Sequence, residues 1–112
     1  MENKHNLNDF IGGWFIGSFE PTILNTTDFE ISIKRYKKDD YENSHHHKIS
    51  TEYTIIVEGE VEMNGIHYKK DDIVVIEKGH STDFKCLTDV ITCVVKVPSS
   101  KNDKYIDDIH LT

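Results

Sequence analysis

The stretch Ser44-His45-His46-His47-Lys48-Ile49-Ser50-Thr51-Glu52 gathers the side chains of this chain best suited to chemistry. On a β-strand, residues two apart project to the same face, so His45 and His47 aim their imidazoles together while His46 and Lys48 point the other way. Glu52 follows after a four-residue gap in which the chain can turn and bring a carboxylate back to the same point from a neighbouring strand. Two imidazoles and one carboxylate suit borderline first-row divalent ions such as zinc, iron, nickel or manganese, whereas all-oxygen sites suit magnesium and calcium. Three protein ligands also leave coordination positions open for water or a substrate. The competing reading is a solvent-exposed polar loop. An engineered tag does not suit a histidine run that is internal and only three residues long.

Such a site has to be positioned by strands, and a two-residue periodicity dominates the chain. Phe29, Ile31 and Ile33 alternate with Glu30, Ser32 and Lys34, which predicts a strand with its apolar set on a core and its polar set toward water. The polar stretch Lys37 to Ser44 ends it. Tyr53 to Met63 reads as the next long strand, and the Asn64-Gly65 that separates it from Ile66 to Tyr68 is a strong hairpin signal, since both residues tolerate positive φ. Ile73-Val74-Val75-Ile76 is a continuous apolar run of strand length, expected to be buried on both faces or nearly so. The last run, Val90 to Val97, stops at Pro98, which has no amide hydrogen to give to a ladder. The helical pattern is confined to a short turn near Leu7 to Phe10. Six to eight short strands in this length cannot all protect their edges in an open sheet. The expected fold class is therefore all-β, a small antiparallel double-sheet β-barrel or jelly roll. Within it, residues 1–22 form an N-terminal extension that supplies extra strands or a dimer contact. Residues 23–98 form the barrel, and 99–112 a polar C-terminal tail that wraps the surface or frays.

With 112 residues and 13.0 kDa the chain has room for one domain and one core. Its 20 acidic against 13 basic side chains give a net charge of −7, which repels a phosphate backbone and argues against a nucleic-acid partner. The densest basic cluster, Lys34-Arg35-Tyr36-Lys37-Lys38, runs straight into Asp39-Asp40 and reads as a solvated strand end. No apolar run approaches the roughly 20 residues needed to cross a bilayer, so no membrane partner is expected. The polar first residues lack an apolar signal core, which points to a cytoplasmic protein, and Cys86 and Cys93 then read as buried free thiols. Of the other histidines, His67 reads as a surface strand residue, and His5 and His110 lie in terminal segments. Trp14, Tyr53, Tyr68 and Phe84 read as core or as pocket lining.

The histidine stretch resembles the first motif of the cupin superfamily: Gly, five residues, His-x-His, three or four residues, Glu, six residues, Gly. His45, His47, Glu52 and Gly59 reproduce its latter part at matching spacing, and Asp39 stands at the leading glycine, a turn position that aspartate also serves. The resemblance covers Thr26 to Val97 and implies a small single-domain (mono-cupin) barrel with a metal inside. The second cupin motif is less complete. Anchored on Gly79, it places Asp71 at its first glycine, Glu77 at its proline, Thr82 at its ligand histidine and Cys86 at its asparagine. A fourth ligand is left open, with His80 and Asp83 standing near Thr82.

The resemblance implies a protein that holds one divalent transition metal on His45, His47 and Glu52 and binds or acts on a small polar molecule such as a sugar derivative. It does not choose between catalysis and binding. As an alternative, His45-His46-His47-Lys48 also looks like the His-x-His-Lys of the sugar-nucleotide ketoisomerases, in which His45 and His47 would move protons without a metal. A non-catalytic small-ligand-binding module is the third reading. Small cupins commonly form homodimers by exchange of N-terminal strands or by sheet packing, and the apolar segment Phe10 to Phe19 is a candidate contact.

Overall fold

The structure is a computed structural model that describes residues 3–107. Among the described residues the alternation in the sequence becomes ten strands: β1 (Trp14–Ile16), β2 (Glu30–Tyr36), β3 (Tyr41–His46), β4 (Thr51–Glu58), β5 (Glu60–Met63), β6 (Ile66–Lys69), β7 (Ile73–Ile76), β8 (Thr82–Cys86), β9 (Val90–Val97) and β10 (Tyr105–Ile106). They form two five-stranded antiparallel sheets, ordered β1-β2-β9-β4-β7 and β10-β3-β8-β5-β6. This is the expected all-β double-sheet architecture. Ahead of β1, the turn expected near Leu7 is a 3-10 turn over Leu7–Asp9, whose Asn8 amide donates to the Asn6 side chain at 2.9 Å. No helix among the described residues is long and apolar enough to cross a membrane.

Turn chemistry sets the corners. Asn64 and Gly65 sit at φ 51° and 76° and close the β5–β6 hairpin as their types demand. The expected single run from Tyr53 to Met63 is instead split at Gly59, where the chain leaves one sheet for the other. Gly59 has φ 93°, and a Cβ there would run into the Asp89 carbonyl oxygen, so the corner requires glycine. Asp39 and Asp71, which stand where the two motifs carry glycine, both adopt the left-handed conformation, at φ 75° and 77°. Aspartate enters that region more readily than most residues.

Strand registers build rows across the inner face of the β1-β2-β9-β4-β7 sheet. From one end to the other they run Tyr36–Val90, Lys34–Thr92–Ile56, Ser32–Val94–Thr54–Val74 and Glu30–Lys96–Glu52–Ile76. The first rows face a core of Ile56, Val61, Met63, Phe84, Cys86 and Val90, backed by Tyr36, Tyr68, Val74 and Ile76. The last row is polar. β2 therefore reverses the expectation: Glu30 and Ser32 are buried, while Ile31 and Ile33 lie on the outer face, half-covered. The reason is that this end of the barrel interior is lined for polar work, so parity alone assigns the wrong face. β7 also departs from the expectation. Val74 and Ile76 turn inward, but Ile73 and Val75 are 63% and 50% exposed, so the run is buried on one face of the single chain.

The ends of the chain fold back on the barrel. β1 adds to the edge of β2, with Trp14 opposite Ser32, so the Phe10 to Phe19 segment packs in part on its own sheet. β9 stops before Pro98 as expected, and the tail then crosses to add β10 to β3. Cys86 and Cys93 are free thiols, Cys86 fully buried and Cys93 half-buried, and burial pushes the Cys86 thiol up to about 12.

Candidate metal centre

His45 is the fifth residue of β3, His47 lies just past its end, and Glu52 is the second residue of β4. The short turn between β3 and β4 brings them together, so that one ligand atom from each lies within 4.8 Å of the others. The imidazole rings of His45 and His47 meet edge to face with centroids 5.4 Å apart. Each ring is fixed through Nδ1, which donates to a backbone carbonyl: His45 to Asn43 at 3.1 Å and His47 to Asp103 at 2.8 Å. This leaves both Nε2 atoms without hydrogen, the arrangement that a metal-binding histidine needs. The His47 Nε2 atom is buried and has no hydrogen-bond partner. Its contact with Glu52 Oε1, at 3.5 Å, is an electrostatic approach too long to satisfy it as a hydrogen bond.

The electrostatics favour the same donor set. Burial holds the His45 imidazole below its ordinary value, which keeps it neutral near pH 7. Burial pushes the Glu52 carboxyl up, but contacts that include the Thr54 hydroxyl and the Lys96 ammonium bring it below the usual range, so it is ionised. Thr54 Oγ1 donates to Glu52 Oε2 at 2.7 Å, and this fixes the carboxylate as the backbone carbonyls fix the rings. Two imidazoles and one carboxylate, with an orphaned nitrogen among them, fit a borderline divalent ion.

The other histidines and the second-motif residues lie elsewhere. His46 faces outward, stacks on Tyr105 at 5.4 Å and bonds Asp107 Oδ1 through Nδ1 at 2.8 Å. Thr82 stands opposite His45 in register and is buried, but its hydroxyl donates to the Asp83 carbonyl at 2.7 Å. His80 is exposed in a turn. Asp83 accepts from the Asn64 amide at 2.8 Å and from the Tyr41 hydroxyl at 3.3 Å. Neither joins the group of three, so among the described residues the cluster has no fourth His, Cys, Asp or Glu ligand. His67 pairs with Glu60 on the surface at 2.9 Å, and His110 lies outside the described residues.

Several residues that serve the site were not singled out from the sequence. Asp103, in the tail, accepts from the amides of Lys48, Ile49 and Ser50 at 2.9 to 3.2 Å and so clamps the turn that separates His47 from Glu52. Thr54 carried a signal, being two residues from Glu52 and hence on the same face. The cluster borders a cavity of about 110 Å³ whose walls include His45, Glu52, Trp14, Lys34, Lys96 and Lys104. A larger cleft of about 750 Å³ lies beside it and shares Lys96 and Lys104, but of the three cluster residues it reaches only His47. The smaller cavity is therefore the one the chemistry faces.

No protein-family model matches the chain, and no curated protein does either. Solved structures do match. An uncharacterized conserved protein with a double-stranded β-helix domain from Klebsiella pneumoniae superposes with a TM-score of 0.69 at 18% identity, covering 92% of this chain and 89% of that one. An RmlC-like cupin from Shewanella frigidimarina gives 0.62 at 18% identity over 68% and 71% of the two chains. A sugar phosphate isomerase from a cupin superfamily, from Silicibacter pomeroyi, gives 0.64 at 16% identity over 73% and 58%. The fold of this chain is the double-stranded β-helix of the cupins, as the motif around His45, His47 and Glu52 led us to expect.

Proposed function

We propose that this chain holds one divalent transition-metal ion, of the zinc, iron, nickel or manganese class, on His45, His47 and Glu52, and uses it to bind or transform a small polar molecule such as a sugar derivative. The observation that supports this best is the orphaned, buried Nε2 of His47. An unpaired buried polar atom costs about 1–3 kcal/mol, and its position beside a second bare Nε2 and a carboxylate gives that cost a purpose. When bound, such an ion supplies Lewis-acid polarisation of an oxygen ligand. His45 and His47 present their nitrogens from rings that cannot rotate, Glu52 brings the balancing charge, and the apolar walls of Met63, Phe84 and Val94 limit the water that shares the cavity. The sugar phosphate isomerase among the structural neighbours is in keeping with a sugar-derived ligand, while its 16% identity speaks to fold.

Cobalt(II) titration tests this reading. The expected result is visible absorption bands that saturate at one equivalent in the native chain and vanish in His47→Ala with the fold intact by circular dichroism. Bands that never appear, or that survive in His47→Ala, would contradict it. In that case proton transfer by His45 and His47 without a metal becomes the reading to pursue.

We propose also that two copies pair through the outer face of the β2-β9-β4-β7 sheet. There the registers align Ile31–Val95–Tyr53–Val75 and Ile33–Cys93–Ile55–Ile73, two adjoining rows with no charged side chain. At about 4.8 Å between strands and 7 Å between rows, the patch projects to roughly 300 Å², and Val57, Ile91 and Val97 widen it. This is more than scattered surface apolars amount to, and an isologous pairing would cover it on both copies while the rim supplies the rest of the roughly 800 Å² per partner that stable dimers bury. Sedimentation velocity should show a dimer that Val75→Lys converts to monomer. A monomeric native chain would end this reading.

A further inference from the structure

The cavity beside the cluster has a charge that neither the fold nor the metal reading requires. The whole chain carries −7, yet this cavity brings three ammonium groups, Lys34, Lys96 and Lys104, against two carboxylates, Glu42 and Glu52. The ion pairs among the described residues are His46–Asp107, His47–Glu52, His67–Glu60 and Lys70–Glu58, so none of the three lysines lies within 4.0 Å of a carboxylate, although Glu52 stands cross-strand from Lys96 and Glu42 and Glu52 act on Lys34 from further off. Glu30 stands cross-strand from Lys96 but lines the neighbouring cleft, where it accepts from Ser99 Oγ at 3.2 Å and the Ser100 amide at 3.4 Å. Lys34 and Lys96 instead approach the ring of Trp14, at 5.2 and 4.9 Å from its centroid. An aromatic face steadies an ammonium without neutralising it.

We propose that the small polar molecule taken up at this site is an organic anion, a carboxylate or a phosphate, whose acidic group is met by Lys34, Lys96 and Lys104 while another of its oxygens faces the His45–His47–Glu52 cluster. This rests on the metal reading above and narrows its ligand class. Lys34 and Lys96 are half-buried and Lys104 is exposed beside them; half-buried ammonium groups held in no close ion pair are unfavourable, and an incoming anion relieves them. A neutral molecule of the same size would leave them as they are. Burial is the main reason Lys34 is held below its ordinary value, with Lys96 and Lys104 adding to it and Glu42 and Glu52 opposing it. The cavity of about 110 Å³ limits the enclosed part to a compact group. Trp14, at the edge strand β1, then serves as the wall against which Lys34 and Lys96 are aimed.

The test is calorimetric titration of the native protein, carrying the metal it retains, with malonate, with inorganic phosphate and with neutral xylitol. Malonate or phosphate should bind at least roughly tenfold tighter than xylitol, as charge-assisted hydrogen bonds allow, and whichever of the two binds better identifies the acidic group. The Lys34→Met, Lys96→Met double variant should lose roughly tenfold or more in anion binding and keep its metal, and the corresponding double arginine variant should retain binding. Xylitol binding as tightly as both anions, or a folded double methionine variant that binds them unchanged, overturns the proposal. If that variant does not fold, the comparison of anions with xylitol on the native chain decides. Metal analysis of the same samples separates the two readings. A native chain without metal that still prefers anions defeats the metal reading alone, and a metal-loaded chain without that preference defeats the anion reading alone.

Discussion

At one end of the barrel Ile56, Val61, Phe84, Cys86 and Val90 pack with almost no exposure, whereas at the other end β2, β4 and β9 turn Glu30, Glu52 and Lys96 inward. The first end is held by apolar burial. The second is held by hydrogen bonds, many of them reaching in from the tail: Asp103 on the turn after His47, Ser99 on Glu30, and Asp107 on Ser44 and His46. One set of strands thus supplies stability at one end and a ligand site at the other. A site that must keep bare nitrogens and lysines cannot also be a dry core, so its rigidity has to come from directional contacts.

Removing the largest side chain of the closed end should give the largest effect on stability. Phe84→Ala deletes a buried ring that packs on Tyr36 at 4.9 Å, and urea unfolding should register a loss of about 3–5 kcal/mol. A loss well below that would mean that the closed end is not where stability resides. Asp103→Ala should cost less in stability, about 1–3 kcal/mol, yet should weaken metal binding by roughly ten- to a hundredfold because His47 and its turn lose their support. Equal damage to stability from both variants would erase the contrast between the ends.

Acid should act on the polar end first. Hydrogen bonds from the amides of Ser50, Lys48 and Ile49 outweigh burial and hold the Asp103 carboxyl below the usual range, and Ser44, Ser81 and His46 hold Asp107 down at about 2. A carboxyl whose folded value is depressed stabilises the fold above its unfolded value, near pH 4, and loses that contribution as the pH falls toward the folded value. Hydrogen exchange should therefore show residues 98–107 loosening between about pH 4 and 2 while β5 and β8 stay protected. The reverse order would sink this account of the tail. The smallest effect is expected at His67→Ala, where an exposed pair with Glu60 is lost and unfolding should shift by less than about 1 kcal/mol.

How much of this the sequence disclosed follows the same division. Turn residues and the histidine motif were legible because they act locally: Asn64-Gly65 needs positive φ wherever it lies, and His45 and His47 share a face by parity alone. Asp39 and Asp71 could be matched to glycine positions because aspartate tolerates the same backbone. The faces of β2 were not legible, since alternation shows that Ile31 and Ile33 oppose Ser32 and Lys34 without showing which set a polar interior claims. Nor does a continuous run such as Ile73 to Ile76 show whether its second face is covered by its own chain. The support from Asp103 was invisible, because it joins residues more than fifty positions apart through a tail with no periodic pattern.

Metal content is the most direct test of the central claim that the open end is built around one ion. Plasma mass spectrometry on untagged protein purified without added metal, beside a His45→Ala, His47→Ala double variant, should find about one equivalent of a transition metal in the native chain and none in the variant. No metal in the native chain after attempts at loading, or equal metal in both, would contradict it.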